Sequence, residues 1–224
     1  MCGRFAFFAP PAAIARQFDV PEPGGPEPRY NIAPSQPVGV VRHDGAGVRT
    51  LDMLRWGLVP SWAKDPSIGN RLINARGETV AEKPAFRAAF ARRRCLVLAS
   101  GFYEWAATPS GKRPFYISSS AGEILAFAGL WERWQKNDAP VLETCVIITA
   151  AASPFLASVH DRMPVILSPD AQSLWLAADT GAARSKLLKP IEYPGLTMWP
   201  VGRRVNDPRN EGAALLERAS DASA

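Results

Sequence analysis

A succession of short β-rich runs, separated by turn residues, constrains the fold of this sequence most strongly. The runs VGVVR (38–42) and VRTLDML (48–54) flank HDGAG, whose Asp-Gly pair is typical of a hairpin turn. Further β-rich runs follow at CLVLA (95–99), PFYIS (114–118), ILAFAGLW (124–131) and TCVIIT (144–149). The pattern predicts an α+β protein built on a curved, mainly antiparallel sheet or an open barrel.

Helical patterns are short and lie at the edges of these runs. They cover PPAAIARQF (10–18), KPAFRAAFARR (83–93), SPDAQSLWLAAD (168–179), which opens with a Ser-Pro start signal, and, more weakly, EGAALLER (211–218). Because 224 residues are enough for one substantial core, we expect a single domain over 1–218 with peripheral helices. Residues 219–224 are expected to be a disordered tail.

One long stretch, RWGLVPSWAKDPSIGNRLINARGET (55–79), has no sustained periodicity and is dense in Pro, Gly, Trp and Arg. A long irregular segment inside a compact domain is usually functional or disordered. Its tryptophans argue against disorder. The stretch is therefore expected to contribute to a functional surface.

The charge of the chain favours a polyanionic partner. Its net charge is +5, and 20 of its 26 basic residues are arginine, a residue that pairs with phosphate bidentately. A GC-rich genome produces the same bias. No apolar run approaches the ~20 residues that span a bilayer, so we expect a cytoplasmic protein without a membrane partner. Three cysteines and two histidines without close spacing predict no metal site.

Cys2 stands apart from the other two cysteines. Cys95 and Cys145 lie in apolar, strand-like runs and are expected to be buried small hydrophobes. Removal of Met1 would leave Cys2 with a free α-amine, which titrates near neutral pH, beside its thiol. Such an aminothiol forms a Schiff base with an aldehyde and then closes a thiazolidine ring. The alternative is a small residue at a frayed terminus.

Three further segments carry side chains suited to chemistry. His160 lies beside Asp161 and Arg162 before an apolar strand, which suits proton transfer or a structural hydrogen bond. Glu104 lies between aromatic residues just after a strand, where burial would raise its pKa, unless it is a surface residue. LINARGET (72–79) offers amide, guanidinium and carboxylate groups, or an ordinary polar loop.

Taken together, these segments resemble the SRAP (SOS response-associated peptidase) family of abasic-site processing proteins. Six motifs follow one another in the expected order, and the end of the chain, VNDPRNEGAALLE, is similar to the closing segment of the family. The six motifs are MCGRF, RYNIAPSQ, RWGLVPSW, INARGET, GFYEW and SVHDRMPVIL. The resemblance covers residue 2 to about residue 216 and so spans nearly the whole chain.

The resemblance implies a covalent chemistry. Cys2 would be the nucleophile that captures the ring-opened sugar aldehyde of an abasic site as a thiazolidine. Asn74 and Glu104 would assist Schiff-base formation and ring closure. His160 would assist sugar ring opening and reversal of the crosslink. Removal of Met1 would occur by self-cleavage, and no cofactor or metal would be required.

The resemblance also implies a DNA partner: single-stranded DNA, or a junction of single- and double-stranded DNA, containing an abasic site. Arg4, Arg76 and Arg162 would contact phosphates, and Asn31 of RYNIAPSQ belongs to the same DNA-binding set. Trp62 is the candidate for the aromatic wedge at the junction, although some relatives carry two adjacent tryptophans where this chain has Ser61-Trp62. The protein is expected to act as a monomer associated with the nucleoid.

Three other functions fit parts of the sequence. Glutamine amidotransferases also begin Met-Cys-Gly, so Cys2 can instead be the nucleophile of an amidohydrolase with its own α-amine as base. The arginines and tryptophans alone would serve a non-catalytic single-strand-binding module. A protease acting on other proteins through Cys2 and His160 is indicated only by the family name.

Overall fold

A computed structural model describes residues 2–22, 24, 26–109, 111–177, 185–189 and 193–219. Its strands are β1 (Arg4–Phe7), β2 (Arg29–Ile32), β3 (Pro37–His43), β4 (Arg49–Trp56), β5 (Asn74–Arg76), β6 (Arg94–Ala99), β7 (Gly101–Thr108), β8 (Gly111–Ser119), β9 (Leu125–Trp134), β10 (Leu142–Ala151), β11 (Arg162–Pro164) and β12 (Leu196–Pro200). Its helices are α1 (Pro11–Phe18), α2 (Arg87–Arg92) and α3 (Pro169–Leu176), with 3₁₀ turns at Pro66–Arg71, Arg203–Asn206 and Ala213–Leu216.

Five strands form a closed barrel in the order β10-β4-β3-β6-β9, and β9 pairs again with β10. The neighbouring strands are antiparallel except β4 and β10, which run parallel. The predicted α+β fold with a curved, mainly antiparallel sheet is therefore confirmed. The barrel is closed rather than open, because β10 pairs with both β9 and β4.

A second, five-stranded antiparallel sheet has the order β12-β8-β7-β1-β2. Aromatic residues join it to the barrel: the Phe5 ring lies 5.1 Å from Trp56 and 6.3 Å from Phe127, and Phe102 lies 5.8 Å from Phe127. All four side chains are completely buried. Since such aromatic contacts stabilise beyond their burial alone, they hold the sheet against the barrel.

The helices are short and lie outside the barrel. α1 and α3 begin and end close to the predicted positions, and proline occupies the first turn of each. Ser168 precedes α3 as predicted, but its side chain makes no capping hydrogen bond. None of the helices in the described ranges is long and apolar enough to cross a membrane.

Several sequence predictions of elements were wrong in extent. The helix expected over 83–93 is confined to Arg87–Arg92, because residues 77–86 form successive turns. EGAALLER forms a 3₁₀ turn rather than an α-helix. Glu104 lies inside β7 and not after a strand. Of the predicted tail, residues 220–224 lie outside the described residues, as do 178 and 179 of the third predicted helix.

Candidate functional site

The site forms where the second sheet meets the edge of the barrel. Cys2 directly precedes β1, and β1 pairs with β7 in a register that places Arg4 opposite Tyr103, next to Glu104. Asn74 begins β5, which pairs in parallel with β10. His160 comes just before β11, which pairs with the C-terminal end of β10, at and directly beyond the residues that pair with β5. The strand pairings of β1 and β10 thus bring into one region four residues that lie far apart in the sequence: Cys2, Asn74, Glu104 and His160.

Asn74 holds the backbone of Cys2. Its Nδ2 donates a hydrogen bond of 2.7 Å to the Cys2 carbonyl oxygen. Its Oδ1 is buried and accepts no hydrogen bond among the residues that the structure describes. Because an unsatisfied buried acceptor is costly, Oδ1 is an available acceptor for an N–H or O–H group that arrives beside Cys2.

Cys2 and Glu104 influence each other electrostatically. Both are buried, Cys2 completely and Glu104 to within 2% exposure. Burial raises the pKa of the Cys2 thiol well above its usual range, and the negative charge of Glu104 raises it further. Burial likewise raises the pKa of the Glu104 carboxyl, and positive charge on His160, when present, would oppose that shift. The site therefore holds a protonated thiol close to a carboxyl whose proton affinity is increased.

The orientation of the His160 ring is fixed through Nδ1. This nitrogen accepts a 3.0 Å hydrogen bond from the backbone N–H of Arg162 and also lies 2.8 Å from the Asp161 carboxylate. The two contacts favour opposite protonation of Nδ1. The backbone bond is the stronger constraint, because the Asp161 side chain is largely exposed and its charge is screened by solvent. The neutral ring then carries its proton on Nε2.

A cavity of about 410 Å³ opens at this place and is lined by Glu104, Trp105, Lys112, His160 and Asn206. Two of the four predicted catalytic residues, Glu104 and His160, face this common space. A larger cavity of about 630 Å³ is lined by none of the four. The smaller cavity is therefore the one connected with the candidate chemistry.

The predicted DNA-binding arginines differ in their surroundings. Arg162 makes a bidentate pair with Glu78, at 2.9 and 3.0 Å, and donates to the Thr149 carbonyl at 2.7 Å. Arg4 is half-buried and donates to Asn31 and to the Val205 carbonyl. Arg76 is exposed at the end of β5. Of the three, Arg76 has the guanidinium most accessible to a phosphate.

The remaining two predicted DNA-binding residues lie in opposite environments. Trp62 is 59% exposed, although it is large and apolar, and its indole N–H points to the Pro84 carbonyl at 3.4 Å. Asn31 is 0% exposed. A wedge or stacking surface requires exposure, which Trp62 has. In this conformation Asn31 cannot touch DNA.

Three residues of the cavity were missed in the sequence: Trp105, Lys112 and Asn206. Trp105 and Asn206 lie inside segments that carried the family resemblance, GFYEW and VNDPRN, and their indole N–H and side-chain oxygen are joined at 2.8 Å. Membership of these motifs was the signal that would have found them. Lys112 lies at the start of β8 in an ordinary turn sequence, where nothing in the sequence marks it.

The class of domain is defined by a closed barrel joined to an antiparallel sheet and by a buried cysteine at position 2. This cysteine contacts an amide and lies near a carboxyl that shares a cavity with an imidazole. The model of the SOS response associated peptidase (SRAP) family matches residues 1–208. The chain belongs to the SRAP family, as the sequence motifs predicted.

Relatives agree with this assignment, and a solved structure shares the fold. The chain is 41% identical over 223 residues to the abasic site processing protein YoaM of Bacillus subtilis, covering 97% of this chain and 98% of that protein. It is 32% identical over 227 residues to the abasic site processing protein YedK of Escherichia coli, covering 97% and 99%. A crystallised protein of Bacteroides thetaiotaomicron superposes with a TM-score of 0.86 at 22% identity, covering 98% and 100%, and so shares the fold.

Proposed function

We propose that this protein processes abasic sites in single-stranded DNA, or at a junction with double-stranded DNA, by forming a covalent thiazolidine through Cys2 after Met1 is removed. The observation that carries the proposal is the contact of Asn74 with the Cys2 carbonyl beside the buried carboxyl of Glu104. The names of the relatives, which describe abasic site processing, support the substrate.

The reaction needs no oxidant, reductant or cofactor. The α-amine of Cys2 adds to the aldehyde carbon of the open sugar, and loss of one water gives a Schiff base. The Cys2 sulfur then bonds to the same carbon, and the thiol proton passes to the imine nitrogen. The ring that closes is a thiazolidine, and the only product released is water.

The side chains around Cys2 suit the proton transfers of these steps. The thiol is protonated because burial raises its pKa, so ring closure requires a base. Glu104 suits that role, since its carboxyl has an increased proton affinity and can return the proton to nitrogen. Asn74 holds the Cys2 backbone with Nδ2 and leaves Oδ1 to accept from the α-amine.

His160 is proposed to act at the sugar ring. Its Nδ1 is engaged by the Arg162 backbone, and it shares the cavity with Glu104. An abasic sugar is mostly closed, so an acid–base group that promotes ring opening typically accelerates capture by about 10²–10⁴-fold. The same group would serve ring closure when the crosslink reverses.

Removal of Met1 is proposed to be autocatalytic and to activate the protein. While Met1 is attached, the nitrogen of Cys2 is an amide and cannot form a Schiff base. Hydrolysis of the Met1–Cys2 bond consumes one water and releases methionine and the α-amine. The buried site around Cys2 would therefore serve two reactions.

DNA would be held without reading its sequence. Arg76 is exposed for phosphate contact, and Arg4 and Arg162 lie nearer to the site, with part of their donors engaged in the protein. Phosphate contacts position DNA but carry no sequence information. Stacking on Trp62 would tolerate any base. Recognition would therefore depend on the lesion and on single-stranded character.

The direct test is incubation with a single-stranded oligonucleotide containing one abasic site, followed by denaturing electrophoresis. The wild-type protein should give a shifted band that survives denaturant. Cys2→Ala should give none, and Cys2→Ser at most a labile band, because an imine without sulfur cannot close the ring. Cys95→Ala is the matched control, since that thiol is equally buried but lies in β6. A persistent band with Cys2→Ala would contradict the proposal.

The same samples separate the alternatives. An amidohydrolase would release ammonia from glutamine and leave the oligonucleotide unmodified. A non-catalytic binding module would shift the oligonucleotide only in native gels, in a salt-sensitive manner that Cys2→Ala leaves unchanged. A protease acting on other proteins would cleave added substrates. The proposed function predicts the covalent band and none of these three results.

A further inference from the structure

The side chain of Asn31 connects the strand β2 with Arg4 of β1 and with the backbone of residues 205–210. It lies in β2, is completely buried, and accepts a 2.7 Å hydrogen bond from Arg4 at Oδ1. Its Nδ2 lies within hydrogen-bond distance of three backbone carbonyl oxygens, those of Val205 (3.3 Å), Asp207 (3.0 Å) and Asn210 (2.9 Å). Both ends of the amide are therefore engaged inside the protein.

The three carbonyls belong to one stretch of chain, residues 203–210, called here the 203–210 segment. From the second sheet, Arg4 also donates to the Val205 carbonyl at 2.8 Å, and the buried Val205 side chain clusters with Tyr103 and Tyr116. Within the segment, the Asn210 side chain donates to the Arg204 carbonyl at 2.7 Å. Among the described side chains outside the segment, Asn31 thus makes the most hydrogen bonds to its backbone.

The 203–210 segment reaches the reactive cavity through Asn206. Asn206 lines that cavity together with Glu104 and His160. Its Oδ1 accepts a 2.8 Å hydrogen bond from the indole of Trp105, the residue that follows Glu104 on β7. The position of the cavity wall beside Glu104 consequently depends on where the segment lies, and Asn31 is one of the side chains that hold the segment.

We propose that Asn31 is a positioning residue, which fixes Arg4 and the 203–210 segment so that Asn206 and Trp105 form the wall of the cavity beside Glu104. The proposal rests on the proposed function. It assigns Asn31 a positioning role in place of the direct DNA contact that the family resemblance implied. Displacement of reacting groups by about 1 Å can slow a reaction on the order of 10²-fold. A positioning role therefore acts on the rate of the chemical step.

The experiment measures formation of the denaturant-resistant adduct with the abasic oligonucleotide over a range of oligonucleotide concentrations. Asn31→Ala should lower the rate at saturation by about tenfold or more, while the half-saturating concentration changes by less than about threefold. A direct DNA contact would give the reverse pattern. Gln172→Ala is the matched control, because Gln172 is another buried amide bonded to a backbone carbonyl, that of Leu167, in α3. It should leave both quantities unchanged.

A double-mutant cycle tests the route from Asn31 to the cavity. If Asn31 acts through the segment, Asn206→Ala should also slow the saturated rate, and the double variant should be little slower than the slower single variant. Amide hydrogen exchange over 203–210 should become faster in Asn31→Ala and not in Gln172→Ala. Additive effects, or unchanged exchange, would overturn the proposal. Should Asn31→Ala fail to fold, Asn206→Ala, whose side chain is exposed, carries the test: an unchanged saturated rate then overturns it.

The outcome separates the two proposals. No adduct with the wild-type protein overturns the proposed function, and the role of Asn31 in that reaction falls with it. An adduct with the wild-type protein that forms at an unchanged saturated rate in Asn31→Ala overturns only the positioning role.

Discussion

At the scale of single residues, Glu104 is the ionisable side chain of the site whose burial affects both its proton affinity and the stability of the protein. Its carboxyl is placed among apolar neighbours, where the ionised form is disfavoured and the pKa rises. Such a group binds a proton more tightly in the folded than in the unfolded protein. Its contribution to the free energy of unfolding is present at acidic pH and decreases as pH rises through the window between the unfolded and the folded pKa.

This burial leads to a prediction for Glu104→Gln. The variant should be more stable than the wild-type protein at neutral and alkaline pH, and the difference should shrink as pH falls below the ordinary glutamate range. Adduct formation should be slower by about 10²-fold or more, since a single acid–base group contributes on this order. The check is to measure thermal unfolding and adduct kinetics from about pH 4 to about pH 9, a range that includes the usual carboxyl and histidine pKa values. A variant that is less stable at every pH and equally fast would contradict this role of Glu104.

The residue types in the motifs predicted the catalytic candidates of the site, but not the role of every polar residue around it. Cys2, Asn74, Glu104 and His160 were predicted from their chemistry and from the family resemblance, and the fold places Asn74 on Cys2 and His160 in the cavity of Glu104. The buried position of Asn31 could not be predicted, because its partners are backbone carbonyls far along the chain. A polar residue in a motif looks the same whether it contacts a ligand or the protein.

At the scale of elements, the short strand β5 carries two of the predicted site residues, one at each end. Asn74 at its start contacts Cys2, while Arg76 at its end is exposed. The strand exists because β10 offers it a parallel partner, with Ile147 opposite Asn74 and Thr149 opposite Arg76. In the proposed function, this one element would connect the chemical step with the binding of DNA.

The exposed end of β5 predicts the effect of Arg76→Ala. Noncovalent binding to single-stranded DNA should weaken, and the slope of log affinity against log salt should decrease by about 0.7–1, as for one lost phosphate contact. Arg87→Ala, another exposed arginine at the start of α2, is the matched control and should leave the slope unchanged. Binding isotherms at several salt concentrations measure this. Equal slopes for Arg76→Ala and the wild-type protein would exclude Arg76 from the phosphate contacts.

Short-range sequence signals predicted the elements well where the paired strands are neighbours in the sequence. The β3–β4 hairpin follows from Asp-Gly between two β-rich runs and has the register Val40 opposite Asp52. The parallel pairings of β10 with β4 and β5 join residues about 70–90 positions apart, and no short-range pattern encodes such contacts. The strand β7 (Gly101–Thr108) was not predicted, because Gly, Glu and Ala in GFYEWAAT weaken its β propensity.

At the scale of the whole molecule, the stretch 55–79 packs tightly on itself and against the edge of the barrel. Gly57 and Gly69 meet there: a Cβ on Gly57 would lie 2.6 Å from the Gly69 carbonyl oxygen, and Gly57 has a φ of +129°. Gly57 also donates to the Cys145 carbonyl of β10. The stretch that sequence periodicity left unassigned is therefore an ordered part of the domain.

This close approach predicts that Gly57→Ala destabilises the protein. Both the contact with Gly69 and the positive φ disfavour a side chain, so the free energy of unfolding should fall by about 1–3 kcal/mol or more. Gly45→Ala is the matched control, because a Cβ there meets nothing within 4 Å, and it should be close to neutral. Denaturant unfolding of the three proteins decides between these outcomes. Equal stability of the two variants would contradict the packing described.

The central claim, that Cys2 with a free α-amine captures abasic DNA covalently, is tested most directly by intact-mass spectrometry of the protein with and without an abasic oligonucleotide. The expected spectrum shows a protein without Met1 and one adduct equal to that protein plus oligonucleotide minus one water. Borohydride should leave this mass unchanged, because a thiazolidine has no imine to reduce. An adduct that still contains Met1, or no adduct in the protein that lacks it, would contradict the account.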